Sequence, residues 1–144
     1  MTHEELSQQT KSAYAHALRN LLIKKPLQKI SIGELSTACN KNRNTFYYHF
    51  TDIYDLLRWM LQQECDYVLE QIKPYDSTED ALGYILKYID NNKSMIRKIY
   101  ESMGHDEMRR NYYDNFYALL NAVIRDGEKK MNVSVSDEIG RAHV

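Results

Sequence analysis

Apolar residues recur at helical spacing along most of this chain. Tyr14, Ala17, Leu18, Leu21 and Leu22 follow the i, i+3, i+4, i+7, i+8 pattern of an amphipathic helix. Lys24 and Lys25 favour its C-terminal end, and Pro26 stops it. Ser31-Ile32-Gly33-Glu34 reads as a Ser-x-x-Glu capping box that opens a second, short helix with Ile32, Leu35 and Cys39 on its inner face. Asn40 falls where a left-handed residue would end that helix, and Asn42 is placed to cap a third short helix reaching Tyr48. Thr51-Asp52 cap a fourth helix whose apolar series runs from Ile53 to Ile72, with Pro74 beyond it. Ser77 with Asp80 starts a fifth, carrying Leu82, Ile85, Leu86 and Ile89 and broken at Asn91-Asn92. A shorter sixth carries Met95, Ile96, Ile99 and Met103 and stops at Gly104. The seventh runs from Asp106 to Arg125 with Gly127 at its end, and from Glu128 to Val144 little periodicity remains. The pattern predicts an all-α protein.

Composition agrees. At 144 residues, with 43% apolar and 27% charged positions, the chain is globular in character. Five Gly and two Pro are few for the many tight turns of an all-β fold. No apolar run approaches the roughly 18 residues of a membrane span, and the acidic start Met1-Thr2-His3-Glu4-Glu5 is unlike a secretory signal. Cys39 and Cys65 are far apart and outside any Cys-x-x-Cys pair, which excludes a disulfide framework and points to the cytoplasm.

The charge is unevenly placed, and this changes the picture. Between Ser7 and Thr51 seven basic residues face the single acid Glu34, whereas from Asp52 onward acids dominate. A basic first segment fits an anionic partner, although a solvated lysine face would look the same. The second and third helices, joined by Asn40-Lys41-Asn42, form a helix-turn-helix inside that segment. Rotating by about 100° per residue puts Phe46, His49 and Phe50 of the third helix on one side. Asn44 and Tyr48 point the other way, flanked by Thr45 and Tyr47, with Arg43 at the N-terminal end. A merely solvated face would carry Glu, Lys and Gln instead. Arg, Asn, Thr and Tyr are side chains that hydrogen-bond base edges and phosphates, so Lys41, Asn42, Arg43, Asn44, Thr45, Tyr47, Tyr48 and His49 are the candidate DNA-binding set.

The run Ile30-Ser31-Ile32-Gly33-Glu34-Leu35, the motif Thr45-Phe46-Tyr47-Tyr48-His49-Phe50 and the opening Asp52 to Leu57 of the next helix resemble the N-terminal domain of TetR-family transcriptional regulators. With the first helix, the resemblance covers roughly residues 10 to 65. Phe46 to Met60 is similar to a subgroup of dihydroxyacetone-kinase regulators, some of which act as coactivators. The resemblance implies that the third helix enters the major groove, with Arg43, Asn44 and Tyr48 toward bases and Thr45 and Tyr47 on phosphates. It implies a homodimer on a palindromic operator of double-stranded DNA, tuned by a small-molecule inducer, and a ligand-responsive repressor is the expectation. Two departures stand out: Asn40 replaces a usual Gly, and Ile53 stands where a phosphate-binding Lys is common. The second leans toward the alternative, a coactivator or adaptor acting through a protein partner.

The expected organisation is a DNA-binding domain over 1–52, a helical regulatory domain over 53–127 and a tail over 128–144. Val135-Ser136-Asp137-Glu138 looks like the cap of a further helix, and the ending Gly140-Arg141-Ala142-His143-Val144 is unlike a native C-terminus. A shortened chain is therefore expected, with the regulatory domain incomplete and dimerisation weakened or altered. Trp59, Met60, Tyr67, Tyr84, Tyr88, Tyr100, Met103, Tyr113 and Tyr117 are candidates for a ligand pocket, together with Met95, Tyr112 and Phe116. At this spacing such residues are more often plain core. His3, His16, His49, His105 and His143 lack paired ligand spacing, so no metal is expected and no cofactor is implied. His49 also fits a packed helix-end histidine, and both cysteines fit buried small hydrophobes. No nucleophile elbow, phosphate loop or convergent acid–base pair is present, which argues against an enzyme.

Overall fold

The computed structural model describes residues 1–102 and 106–131, and among them every regular element is helical. The order is α1 (His3–Lys24), a 3-10 turn (Leu27–Lys29), α2 (Ile32–Ala38), α3 (Arg43–His49), α4 (Ile53–Ile72), α5 (Thr78–Asn91), α6 (Lys93–Ser102) and α7 (Asp106–Met131). Local chemistry explains most boundaries. Thr2 and Glu5 form a reciprocal capping box, with Glu5 N donating to Thr2 Oγ1 at 3.1 Å and Thr2 N to Glu5 Oε2 at 2.9 Å. The α1 helix therefore starts well before its first buried residue, Tyr14.

Ser31 caps α2 by accepting from Glu34 N at 3.0 Å. The expected box is only half formed there: the Glu34 carboxylate turns instead to Lys25 Nζ, at 2.5 and 2.6 Å. Asp52 and Ser77 cap α4 and α5 through Asp55 N and Asp80 N. The α7 helix continues through Gly127 to Met131, beyond the expected stop, so the proposed boundary at 127/128 coincides with no helix end. A glycine inside a helix costs only about 1 kcal/mol, which neighbouring packing overrides. The expected stop at Gly104, the candidate cap at Val135–Glu138 and the ending from Gly140 lie outside the described residues.

Two apolar clusters form the core. The first joins Tyr14, Leu18 and Leu22 of α1, Leu35 of α2, Phe46 of α3, Leu56, Leu57 and Met60 of α4, and Met95 and Ile99 of α6. The second joins Val68 and Ile72 at the far end of α4 with Ala81, Ile85, Leu119 and Val123 of α5 and α7. Helices α1 to α3 thus share one core with the start of α4 and with α6. Packing runs straight across position 52.

Candidate nucleic-acid interface

The third helix is held by the turn before it and by α1 behind it. Asn40 adopts φ 55°, the left-handed conformation that Asn tolerates. Lys41 N then donates to Ser36 O at 2.8 Å and Asn40 N to Thr37 O at 3.2 Å, the two bonds of a Schellman closure. Asn42 Oδ1 accepts from Thr45 N at 3.1 Å and caps α3. Behind the turn, the Tyr14 hydroxyl donates to Asn42 O at 3.0 Å and lies 3.2 Å from Ser36 Oγ, while its ring meets Phe46 edge-on at 5.3 Å. Burial raises the Tyr14 pKa, so the hydroxyl stays a donor.

The opposite face of α3 is open. Lys41, Asn42, Arg43 and Asn44 are exposed, and Thr45 is half-buried. Tyr47 and Tyr48 are 54% and 72% exposed, which on a helix with a fully buried Phe46 leaves two aromatic hydroxyls directed outward. Arg43 Nε approaches the start of α2, where a Cβ built on Gly33 would lie 3.9 Å from it, an ordinary contact distance. His49 departs from this set. Its Nδ1 is 3.4 Å from Ser7 Oγ on α1, and burial, Lys11 and His3 hold its pKa below the ordinary value. It anchors the C-terminal end of α3 to α1 and does not face outward with the others.

Some cations of the first segment are engaged within the protein. Lys25 pairs with Glu34, Arg19 pairs with Glu64, and Lys11 Nζ sits 5.9 Å from the centre of the Trp59 ring. Ile53, in the position of the expected lysine, is half-buried against the first cluster.

A cavity of about 90 Å³ lies between α4, α5, α6 and α7, with Glu64, Cys65, Tyr88, Met95, Tyr112 and Phe116 among its walls. It separates the two apolar clusters. Burial raises the Cys65 and Tyr112 pKa values, which keeps these two groups uncharged and the thiol unreactive.

Residues 76–139 match the family described as "Transcriptional regulator C-terminal region", TetR_C_8. The chain is 25% identical over 128 residues to the "HTH-type dhaKLM operon transcriptional activator DhaS" of Lactococcus lactis subsp. lactis (strain IL1403), covering 89% of this chain and 67% of that protein. A solved structure titled "Dihydroxyacetone kinase operon activator DhaS" superposes with a TM-score of 0.65 at 24% identity, over 84% of this chain and 67% of that one; this likeness establishes the fold. Residues 76–139 thus match a TetR-type C-terminal region, in a chain similar to an HTH-type transcriptional activator. Both relatives are named as activators of an operon.

The cavity lies among α4 to α7, the helices that carry the pocket candidates, but most of those side chains do not reach it. Of the nine pocket candidates only Tyr88 lines it. Tyr67, Tyr100, Tyr113 and Tyr117 are exposed on outer helix faces. Tyr84 packs on Tyr75 against the second cluster, Met60 is buried in the first, and Trp59 meets Phe50 at 6.1 Å; Met103 lies outside the described residues. A 3.6-residue period marks an inward face but not which neighbour, core or cavity, that face meets. Met95, Tyr112 and Phe116 do line the cavity, but Glu64 escaped notice because a lone Glu on an amphipathic helix reads as solvent-facing. Among the described residues no group of three His, Cys, Asp or Glu side chains could hold a metal, and no helix is long and apolar enough to cross a membrane.

Proposed function

We propose that this regulator places α3 in the major groove of duplex DNA, binds a palindromic operator as a homodimer in the cytoplasm, and changes its affinity when a small molecule enters the cavity between α4 and α7. One observation carries the first part. The helix is clamped on its inner side by Tyr14 and the Asn42 cap, while Arg43, Asn44, Tyr47 and Tyr48 face outward. Arginine and asparagine can read guanine and adenine edges, and the tyrosine hydroxyls suit phosphate. Two such helices must sit about 34 Å apart to read successive turns, which is the work of a dimer. For the sign of regulation, the relative's name supports activation and gives no support to repression. The half-buried Ile53, offering no phosphate contact, keeps a coactivator working through a protein partner as the second reading.

Binding of the purified regulator to DNA from its own genomic neighbourhood, followed across salt concentration, tests this directly. Direct readout gives saturable, sequence-selective binding, and log affinity falls with log salt by about 0.9 for each phosphate neutralised. Binding that needs a second protein at every salt concentration would select the coactivator reading. Sedimentation at micromolar concentration, with and without DNA, reports the dimer.

A further inference from the structure

The junction between the DNA-binding helices and the cavity is built on one carboxylate. Glu64, on α4, lines the cavity; one of its oxygens accepts from Arg19 Nη1 on α1 and the other from the Tyr88 hydroxyl on α5. Arg19 Nη2 donates to Asn92 Oδ1 at 2.6 Å, and Asn92 Nδ2 donates to Tyr88 O at 2.8 Å. A single arginine of the first helix is thereby bonded to α4 and to the junction of α5 and α6. Among the described residues Glu64 is the one charged side chain on the cavity wall, and the rest is apolar apart from Cys65, the Tyr88 and Tyr112 hydroxyls and the Asn115 amide.

An occupant shifts a conformational equilibrium only if it interacts differently with the two states. A neutral molecule fills the apolar part of the cavity and leaves both bonds of Glu64 in place. A molecule carrying its own cation competes with Arg19 for the carboxylate. The Arg19 side chain is 29% exposed, so once displaced it regains water instead of remaining buried and unpaired. The Glu64 charge meanwhile keeps a charge-assisted partner. Only the cationic occupant breaks the tie between α1 and α4. Because α1 carries Tyr14, which clamps the start of α3, a loosened α1 leaves the recognition helix less ordered.

We propose that the cavity binds a small primary amine with an apolar body, whose ammonium replaces the Arg19 guanidinium on Glu64 and thereby lowers DNA affinity. The regulatory half rests on the ligand-responsive reading above; the cation site does not. Propylamine, protonated at pH 7, and its neutral isostere 1-propanol are suitable probes for a space smaller than the roughly 150 Å³ that takes up benzene. In calorimetry on the full chain, propylamine should bind at least tenfold more tightly than 1-propanol. Glu64→Gln, nearly isosteric, with its amide oxygen able to accept from Arg19 and its NH2 able to donate to the Tyr88 hydroxyl oxygen, should abolish that preference. Arg19→Met, which removes the competitor, should tighten propylamine binding by a similar factor, an effect that a merely structural Arg19 would not produce. Propylamine should speed amide exchange in α1 and weaken binding to a promoter fragment about tenfold. Equal affinity for the two probes, or an unchanged preference in Glu64→Gln, would overturn the cation site. Equal weakening of DNA binding by both probes would also overturn it while leaving ligand response standing. Selective amine binding without any change in DNA affinity would overturn the regulatory half alone.

Discussion

The Tyr14 hydroxyl donates to the Asn42 carbonyl at 3.0 Å, so the residue that caps α3 is itself held by the first helix. A hydroxyl has one proton to give, and with that proton on Asn42 O the neighbouring Ser36 hydroxyl must be the donor to Tyr14. Tyr14→Phe removes both bonds and leaves the Ser36 hydroxyl, only 3% exposed, without this acceptor. The expected cost is about 1–3 kcal/mol in urea unfolding, with the ring contact to Phe46 intact. DNA binding should weaken beyond what the lost stability explains, because the cap at Asn42 loosens. A variant as stable and as DNA-competent as the parent would show that the hydroxyl clamps nothing.

On the outer face, two substitutions separate base reading from phosphate holding. Arg43→Ala should weaken specific binding by about 1–3 kcal/mol and relax sequence choice. Tyr47→Phe should weaken all sequences alike and leave the salt slope unchanged, as loss of an uncharged phosphate contact does. Both positions are exposed, so melting temperatures should stay within error of the parent. Parent-like DNA binding in both variants would remove α3 as the reader.

His49 links pH to the stability of the same helix. Burial, with Lys11 and His3 nearby, holds its folded pKa below the unfolded value of about 6.5. Between those two values the unfolded chain binds the extra proton, so stability rises with pH across that window. The contribution is complete above pH 6.5 and is lost as pH falls toward the folded value. Urea midpoints taken from pH 7.5 down to 5.5 should decline in the parent, and the decline should be shallower in His49→Gln. Identical slopes would place the acid sensitivity elsewhere.

Asn40 tests the turn. At φ 55° it occupies the left-handed region, where a β-branched residue is strained. Asn40→Val should cost about 1–2 kcal/mol, while Asn40→Gly should be neutral or slightly stabilising. If Val is tolerated at no cost in urea unfolding, the Schellman closure does not set the register of α3.

These local features were legible because their causes lie within a few residues of chain. Caps at Ser31, Asn42, Asp52 and Ser77 bond three positions ahead, and the inward side of α3 follows from rotation about one axis. The Thr2–Glu5 box has the same signature, though an acidic start gives no apolar stripe to draw attention to it. The charged pair at the cavity was not legible for the opposite reason. Arg19 and Glu64 are 45 positions apart, and nothing in their neighbourhoods distinguishes a half-buried pair from two solvated charges. Likewise, the participation of α6 in the core of the DNA-binding helices depends on tertiary packing that helical periodicity does not encode.

That shared core makes the last prediction. Ile99 of α6 is fully buried, sits among Tyr14, Leu18 and Phe46 in the first cluster and also lines the cavity. Ile99→Ala should cost about 2–5 kcal/mol, depending on how far the site relaxes. The single tryptophan, Trp59, packs on Phe50 at the end of α3, so its fluorescence reports the DNA-binding region, while far-ultraviolet circular dichroism reports all helices. If α6 belongs to the same cooperative unit, both signals move together to lower urea in the variant. A DNA-binding domain folding independently over residues 1–52 would keep the Trp59 transition where it is in the parent while the helical signal split into two steps. Coincident transitions are expected, because a side chain of α6 cannot be cut back in that core without exposing the α1 side chains packed against the helix.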